Sequence, residues 1–330
     1  MDIKSVCIVG PGAIGGMMAV FLERAGYQVS ALARPSRAAA ITRRGIVLED
    51  KGEIFTGHPK VATTAKDIGP QDLVVVTLKD AGLRELAADL PALCKPTTQI
   101  LFVMNGVPWW FLDGFKGPGG GKQLTAVDPD GFLARTIDKE RLIWGVIDCG
   151  VSEKPDGTLL HTFNYYLQIG RPDGDLRDLA DIAGVFVKAG YDCQPRATIR
   201  DAIWAKLVGN ITMNPVSAIT MGTLDKIFGD PIVVDLLIDV AHETRGLAQK
   251  LGIDPGADPV ERMRSAASRL GPVRTSMLQD AQRGRPLELS SIMGSVLEIG
   301  EIVGHAMPMT RIVYGLARVR SLNSAAQVAS

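Results

Sequence analysis

The stretch "SVCIVGPGAIGGMMAVFLERAGYQVSALAR", Ser5 to Arg34, constrains the fold more than any other part of the chain. Its first residues are a short, unbroken apolar run with β-branched members, the signature of a strand buried on both faces, as in parallel sheets. A glycine turn follows at once. "GGMMAVFLERAG" then reads as a helix stopped by Gly26, and "YQVSALAR" as a second strand. Strand, glycine turn, helix, strand is the context in which a G-x-G-x-x-G match carries weight. The predicted class is α/β, with an N-terminal doubly wound, Rossmann-type sheet.

Each glycine of the turn has a separate task. Gly10 allows the tight bend, Gly12 removes a side chain that would block a pyrophosphate, and Gly15 lets the helix pack closely on the strand. The turn Gly10-Pro11-Gly12-Ala13-Ile14-Gly15 is therefore the expected cofactor-binding segment, with backbone N–H groups at the helix start holding the phosphates. The competing reading is a plain glycine-rich turn. The end of the second strand selects the nucleotide. An acidic residue there would hold the ribose hydroxyls of NAD, whereas "ALARPSR" offers Arg34 and Arg37 and no carboxylate. A guanidinium suits the extra 2′-phosphate, so NADP (as NADPH) is the expected cofactor.

The alternation continues. "DLVVVTLKD" is a strand ending in Lys79, "LRELAADLPALC" a helix, and "TQILFVMNG" a strand ending in Asn105-Gly106. Lys79 and Asn105 fall at carboxyl ends of strands, where open parallel sheets bind ligands. Lys79 is a candidate for a phosphate or the adenosine end, with a solvated loop lysine as the alternative. Asn105 is a candidate for the meeting point of nicotinamide and substrate, although Asn-Gly is also a common turn dipeptide. "WGVIDCGVSEKPDGTLLHTFNYYLQIG" reads as two strands around a Pro-Asp-Gly turn, "LRDLADIAGVFVKAG" as a helix and "YDCQP" as a last short strand. "FKGPGGGKQ" resembles a phosphate loop in composition only. No strand precedes it and no Ser or Thr follows its lysine, so a mobile surface loop is expected.

After Ala197 strand signals stop. "IRDAIWAKLVGNITMNPVSAI", "PIVVDLLIDVAHETRGLAQKLG", "ADPVERMRSAASRL", "ELSSIMGSVLEIGEIVGHA" and "PMTRIVYGLARVRSLNS" read as helices, and "NSAAQVAS" as a frayed tail. The expected organisation is residues 1–197 as an NADP-binding domain and 198–330 as an all-helical domain for substrate binding and dimerisation. The strongly apolar helices make a homodimer through this half the expected assembly.

Bulk properties exclude several classes. Formal net charge is zero and Lys/Arg blocks are no longer than pairs such as Arg43-Arg44, which argues against nucleic acid and against a polybasic membrane surface. No apolar run reaches the roughly eighteen residues of a membrane span. The start "MDIKSVCIVG" lacks a signal-peptide arrangement, and Cys7, Cys94, Cys149 and Cys193 are widely spaced, so a cytoplasmic protein with reduced thiols is expected. His58, His161, His242 and His305 form no ligand cluster and no metal is expected. His161 and His305 read first as packing or surface residues.

The chemistry-bearing pattern of the second half is "WAKLVGNITMNP". Lys206, Asn210 and Asn214 recur every fourth residue and so share one face of a helix whose other residues, Trp204, Leu207, Val208 and Ile211, are apolar. Asparagine is a poor helix former, and a polar stripe on a largely buried helix needs a partner. That partner is either a ligand or polar packing between domains. Downstream, Ser276 precedes a helical segment and Glu288 follows an Arg-Pro turn. Each has a plain alternative, Ser276 as a helix cap and Glu288 as a dipole partner in a first turn.

Taken together, "GPGAIGG", "VTLK", the post-strand "NG", "KLVGNITMNP" and "SMLQD" with a following glutamate resemble the ketopantoate reductase (2-dehydropantoate 2-reductase) family over the whole chain, in order and spacing. The resemblance implies a doubly wound NADP domain, a helical domain and an active site between them. It implies Lys206 as the catalytic lysine and Glu288 as the group that holds the substrate's terminal hydroxyl. It implies Asn105, Asn210, Asn214 and Ser276 as further substrate-binding positions, and Arg34 and Lys79 as cofactor-phosphate positions. The implied reaction is NADPH-dependent reduction of a 2-oxo acid to a 2-hydroxy acid, ketopantoate to pantoate in pantothenate biosynthesis. A lysine, with an ordinary pKa near about 10.4, both polarises the carbonyl and delivers the proton. The alternatives are a paralogous reductase of another small 2-oxo acid and a non-catalytic NADP-sensing regulator.

Overall fold

The computed structural model describes residues 1–258, 260 and 272–329. The helix expected in "ADPVERMRSAASRL" falls almost entirely outside the described residues. The chain divides into two units, one of residues 1–104 and 132–199, the other of residues 105–131 and 200–330.

The first unit is built on a 10-stranded sheet. Its parallel half runs β5 (Lys60–Ala62), β2 (Gln28–Leu32), β1 (Ser5–Val9), β6 (Gln71–Val76), β7 (Cys94–Val103), β8 (Leu142–Glu153). The chain steps outward from β1 on one side to β2 and β5, then returns to lay β6 against the other side of β1. That reversal of strand order creates a crevice at the carboxyl ends of β1 and β6. Beyond β8 the sheet turns mixed. β9 (Leu159–Gly170) pairs antiparallel with β8, as its Pro-Asp-Gly connection requires, β3 (Ile46–Asp50) and β10 (Asp192–Pro195) pair parallel with β9, and β4 (Glu53–Gly57) closes the edge against β3.

The apolar runs bury as their composition demands: Val6, Cys7 and Ile8 of β1 and Leu73 to Val76 of β6 are fully enclosed. Helix α1 (Ala13–Arg24) lays Met17, Met18, Val20 and Leu22 on this core. The sequence pattern does not announce α2 (Pro35–Arg44), β3, β4, β5 or α3 (Ala65–Ile68). Helix α2 buries only Ala38 and Ile41 between basic residues, and the three strands are short and carry charge, so periodicity is weak throughout.

The principal helices of the second unit are Ile199–Thr220, which enters it at Arg200, and Pro231–Leu251, Ser276–Gln282, Ser295–Val303 and Pro308–Ala329. Asp230 caps the second, accepting from the amides of Ile232 and Val233, and left-handed Gly252 ends it. The terminal helix continues to Ala329, beyond the point where a frayed tail was expected.

Residues 105–131 group with the helices and not with the preceding sheet, which differs from the expected division at 197/198. The reason is long-range packing. The Arg200 guanidinium donates to the carbonyls of Phe111 and Asp113, both at 2.8 Å, and the Phe111 ring lies 5.6 Å from that of Trp204. The glycine-rich stretch expected to be a mobile surface loop is fitted to this unit. Gly121 donates its amide to Leu112 at 2.7 Å, and Gly119 lies against Ile302 and Val303.

Candidate active site

The glycine turn has the build of an anion cradle. Gly10 takes φ +85°, and its amide donates to Leu32 on β2 at 3.0 Å. A Cβ at Gly15 would stand 2.2 Å from the Thr77 hydroxyl, so only glycine lets α1 approach β6 this closely. Thr77 in turn donates to the Gly10 carbonyl at 2.7 Å, tying the turn to the end of β6. Gly12 is different. A Cβ there would meet nothing nearer than 4.0 Å within the protein, so the space over it is open. Gly12 caps α1 without a side-chain hydrogen bond, and the first turn carries no acidic residue. The amides around Ala13 and Ile14 therefore keep their donors and their positive end of the helix dipole for an anion. A dinucleotide pyrophosphate fits this donor set.

Arg34 and Lys79 lie at the carboxyl ends of β2 and β6, the two strands that flank β1. Arg34 is exposed at the extended residue that opens α2. Lys79 is exposed at the start of a short 3₁₀ turn, its carbonyl accepting from the Gly82 amide. Arg37, the other arginine after β2, turns inward instead and donates to the Pro11 carbonyl at 2.9 Å and to Glu153 at 2.8 Å. Beneath the turn, burial pushes the Cys7 thiol up to about 12, so it is a packed neutral thiol and no nucleophile.

All the substrate candidates lie in the second unit. Lys206, Asn210 and Asn214 recur every fourth residue of helix Ile199–Thr220. Lys206 and Asn210 are half-buried, while Asn214 is 6% exposed and its amide nitrogen stands 3.5 Å from the Ser276 hydroxyl. Pro215 follows inside the helix, so the Ile211 carbonyl loses its i+4 amide donor beside the stripe. Ser276 is not the cap of its helix. Thr275 is, with its hydroxyl accepting from the Leu278 amide at 3.1 Å, which leaves the exposed Ser276 side chain to the Asn214 side.

Glu288 is half-buried, one position ahead of the helical segment that begins at Leu289 and runs through a π-helical turn, Ser290–Gly294. Such turns often mark functional positions. Asn105 approaches this turn through its neighbours. Val107 donates its amide to the Ser291 carbonyl at 2.8 Å, and Gly106, at φ +81°, sits so close that a Cβ would lie 2.6 Å from Ser291. The structure thus joins Asn214 to Ser276, and it fastens the Asn105 loop to the turn that follows Glu288.

Comparison with known proteins places these features. The family model "Ketopantoate reductase PanE/ApbA" matches residues 6–109, and "Ketopantoate reductase PanE/ApbA C terminal" matches residues 198–321. The chain belongs to the ketopantoate reductase family. A 2-dehydropantoate 2-reductase from Mesorhizobium japonicum is 34% identical over 315 residues, covering 95% of this chain and 96% of the relative. A solved protein from Ralstonia solanacearum MolK2, provisionally assigned as a ketopantoate reductase, is 35% identical with a TM-score of 0.90, covering 98% of this chain and 99% of its own. The 2-dehydropantoate 2-reductase structure from Geobacter metallireducens GS-15 is 27% identical with a TM-score of 0.82, covering 95% of this chain and 99% of its own.

As a ketopantoate reductase family member, the chain is an enzyme of the oxidoreductase class. Among the described residues, no helix is long and apolar enough to cross a membrane and no group of His, Cys, Asp and Glu could hold a metal ion. His161 is a packing residue, bonded to Asp50 and to the Asn164 carbonyl, and His305 bonds the Glu243 carbonyl. Residue type and spacing assign no part to Thr77, Gly106, Thr275 or Ser291. Only Gly106 carries a signal at that level, as the glycine of an Asn-Gly pair directly after a strand.

Proposed function

We propose that this enzyme is an NADPH-dependent 2-oxo acid reductase acting on ketopantoate. The observation that carries the reading is the Lys206–Asn210–Asn214 stripe, whose last member reaches Ser276 inside the unit that also holds Asn105 and Glu288. When bound, the nicotinamide supplies the hydride that reduces the carbonyl carbon. The amides of the Gly10–Gly15 turn hold the pyrophosphate, Arg34 pairs with the 2′-phosphate, and Lys79 meets a phosphate or the adenosine end. Lys206 attracts the negative charge that develops on the carbonyl oxygen and gives that oxygen its proton. Asn210, Asn214, Asn105 and Ser276 orient the acid, and Glu288 accepts from a hydroxyl at its far end.

An assay of NADPH oxidation over a panel of 2-oxo acids, with ketopantoate included and NADH run alongside, tests the whole reading. Lys206→Ala should lower kcat by about 10²–10⁴ while NADPH binding is kept. Glu288→Gln should raise KM most for acids with a distal hydroxyl. Preference for another oxo acid moves the substrate within the class, near-normal turnover of Lys206→Ala removes the lysine from the chemistry, and nucleotide binding with no turnover on any acid leaves a sensor in place of an enzyme.

The helical unit also supports a homodimer. Ile312, Leu316 and Val319 share one face of the terminal helix and are 56%, 54% and 57% exposed. Sedimentation velocity should give a dimer that Leu316→Asp dissociates; a monomer at every concentration rules the assembly out.

A further inference from the structure

Two arginines follow β2, and their surroundings differ. Arg34 stands in solvent two residues past the end of β2, at the cap of α2. Arg37, one turn into α2, folds back over the nucleotide turn, its Nε donating to the Pro11 carbonyl at 2.9 Å and its Nη1 meeting a Glu153 carboxylate oxygen on β8 at 2.8 Å. The two side chains are only 25% and 22% exposed.

Pro11 occupies the tip of the turn between Gly10 and Gly12. Proline has no N–H, so its carbonyl is the one backbone group by which this residue can be held. The glycines on either side are the most permissive residues available, and a turn that binds through backbone amides loses affinity if those amides wander. A planar guanidinium fork can serve two acceptors at once in a fixed geometry, which a lysine ammonium cannot reproduce. The Glu153 carboxylate also neutralises Arg37 and would repel a phosphate dianion brought to the same cation.

We propose that Arg37 is a positioning residue. It clamps the Pro11 carbonyl, with Glu153 as its anchor, so that the α1 amides stay aimed at the pyrophosphate, and it takes no part in reading the 2′-phosphate. The inference rests on the reading that this turn binds a nicotinamide dinucleotide. It adds that a residue on β8, distant in sequence, sets nucleotide affinity.

Calorimetric titration of NADPH and of NADH into the full chain tests it, with thermal unfolding run on each variant. Arg37→Ala should weaken both nucleotides by the same factor, roughly tenfold, the scale of one lost charge-assisted hydrogen bond. The ratio of the two dissociation constants should stay at its wild-type value. Arg37→Lys should fall with Arg37→Ala, because charge without the fork does not restore the clamp. Glu153→Gln, which keeps an acceptor oxygen for Arg37 but removes the charge, should give a smaller and again equal loss. Arg34→Ala should instead change the ratio. A selective loss of NADPH in Arg37→Ala, its rescue by Arg37→Lys, or unchanged affinity for both nucleotides in Arg37→Ala and Glu153→Gln overturns the clamp. A wild-type chain that binds neither nucleotide overturns the underlying reading and the clamp with it.

Discussion

Gly106 shows how one residue can join two parts of a site. It holds φ +81° while its backbone lies against Ser291, three residues after Glu288, and its neighbours are Asn105 and the amide donor Val107. Alanine at this position meets both a left-handed backbone and an approach of 2.6 Å to main-chain atoms of Ser291. The combined penalty is about 3 kcal/mol. Gly106→Ala should therefore lower unfolding free energy in urea by about that amount and raise KM through a displaced Asn105. Wild-type stability together with wild-type KM would show that the loop adapts. At this scale the sequence was legible where residue type and spacing coincide, as in the Lys206–Asn210–Asn214 stripe. It was not legible where one residue's task depends on a distant partner. Ser276 looks like a helix cap until Thr275 is seen to fill that place, and Arg37 resembles Arg34 until Glu153 and the Pro11 carbonyl are seen beside it.

Among elements, the pairing of β1 with β6 sets the crevice, and a single carboxylate ties their entry ends. Asp72 accepts from the Lys4 and Ser5 amides at 2.9 and 2.8 Å and from the Ser5 hydroxyl at 2.9 Å, and it pairs with Lys95. Burial pushes this carboxyl up, but Lys95 and the Lys4 and Ser5 donors outweigh it and hold it well below the usual carboxylate range. A depressed folded pKa contributes stability that is fully present above the unfolded value, near about pH 4, and is lost as pH falls from there toward the folded value. Asp72→Asn should thus be less stable than wild type at pH 7, by roughly 2 kcal/mol. The gap should narrow only below about pH 4, as followed by urea unfolding at several pH values. A gap that stays constant down to pH 2 would assign the effect to packing and not to charge. Strands such as β1, β6 and β7 were legible because burial on both faces forces an unbroken apolar run. The β3–β4 ribbon was not: β4 reads exposed, exposed, half-buried, exposed, buried, which leaves almost no apolar signature.

For the whole molecule, the lesson is that order along the chain and membership of a folding unit part company. Cessation of strand signals after Ala197 marks where the helices begin, and the described units change over at Ile199 and Arg200. What composition could not reveal is that 105–131, covalently continuous with β7, completes the helical unit. Trp110, Phe111 and Leu112 are 2%, 0% and 0% exposed, and Arg200 is bonded to the backbone that carries them. Each such side chain contributes about 2–3 kcal/mol on burial, so the three together rival the roughly 5–15 kcal/mol that stabilises a typical domain. A fragment of residues 198–330 should therefore lack a cooperative urea transition and near-ultraviolet dichroism from Trp204. The same fragment with residues 105–131 joined to its N-terminus by a flexible linker should recover both. If the shorter fragment unfolds cooperatively without that segment, then the Trp110–Leu112 contacts decorate a helical core that is already sufficient, and the Asn105 loop is fastened to the unit without helping to build it.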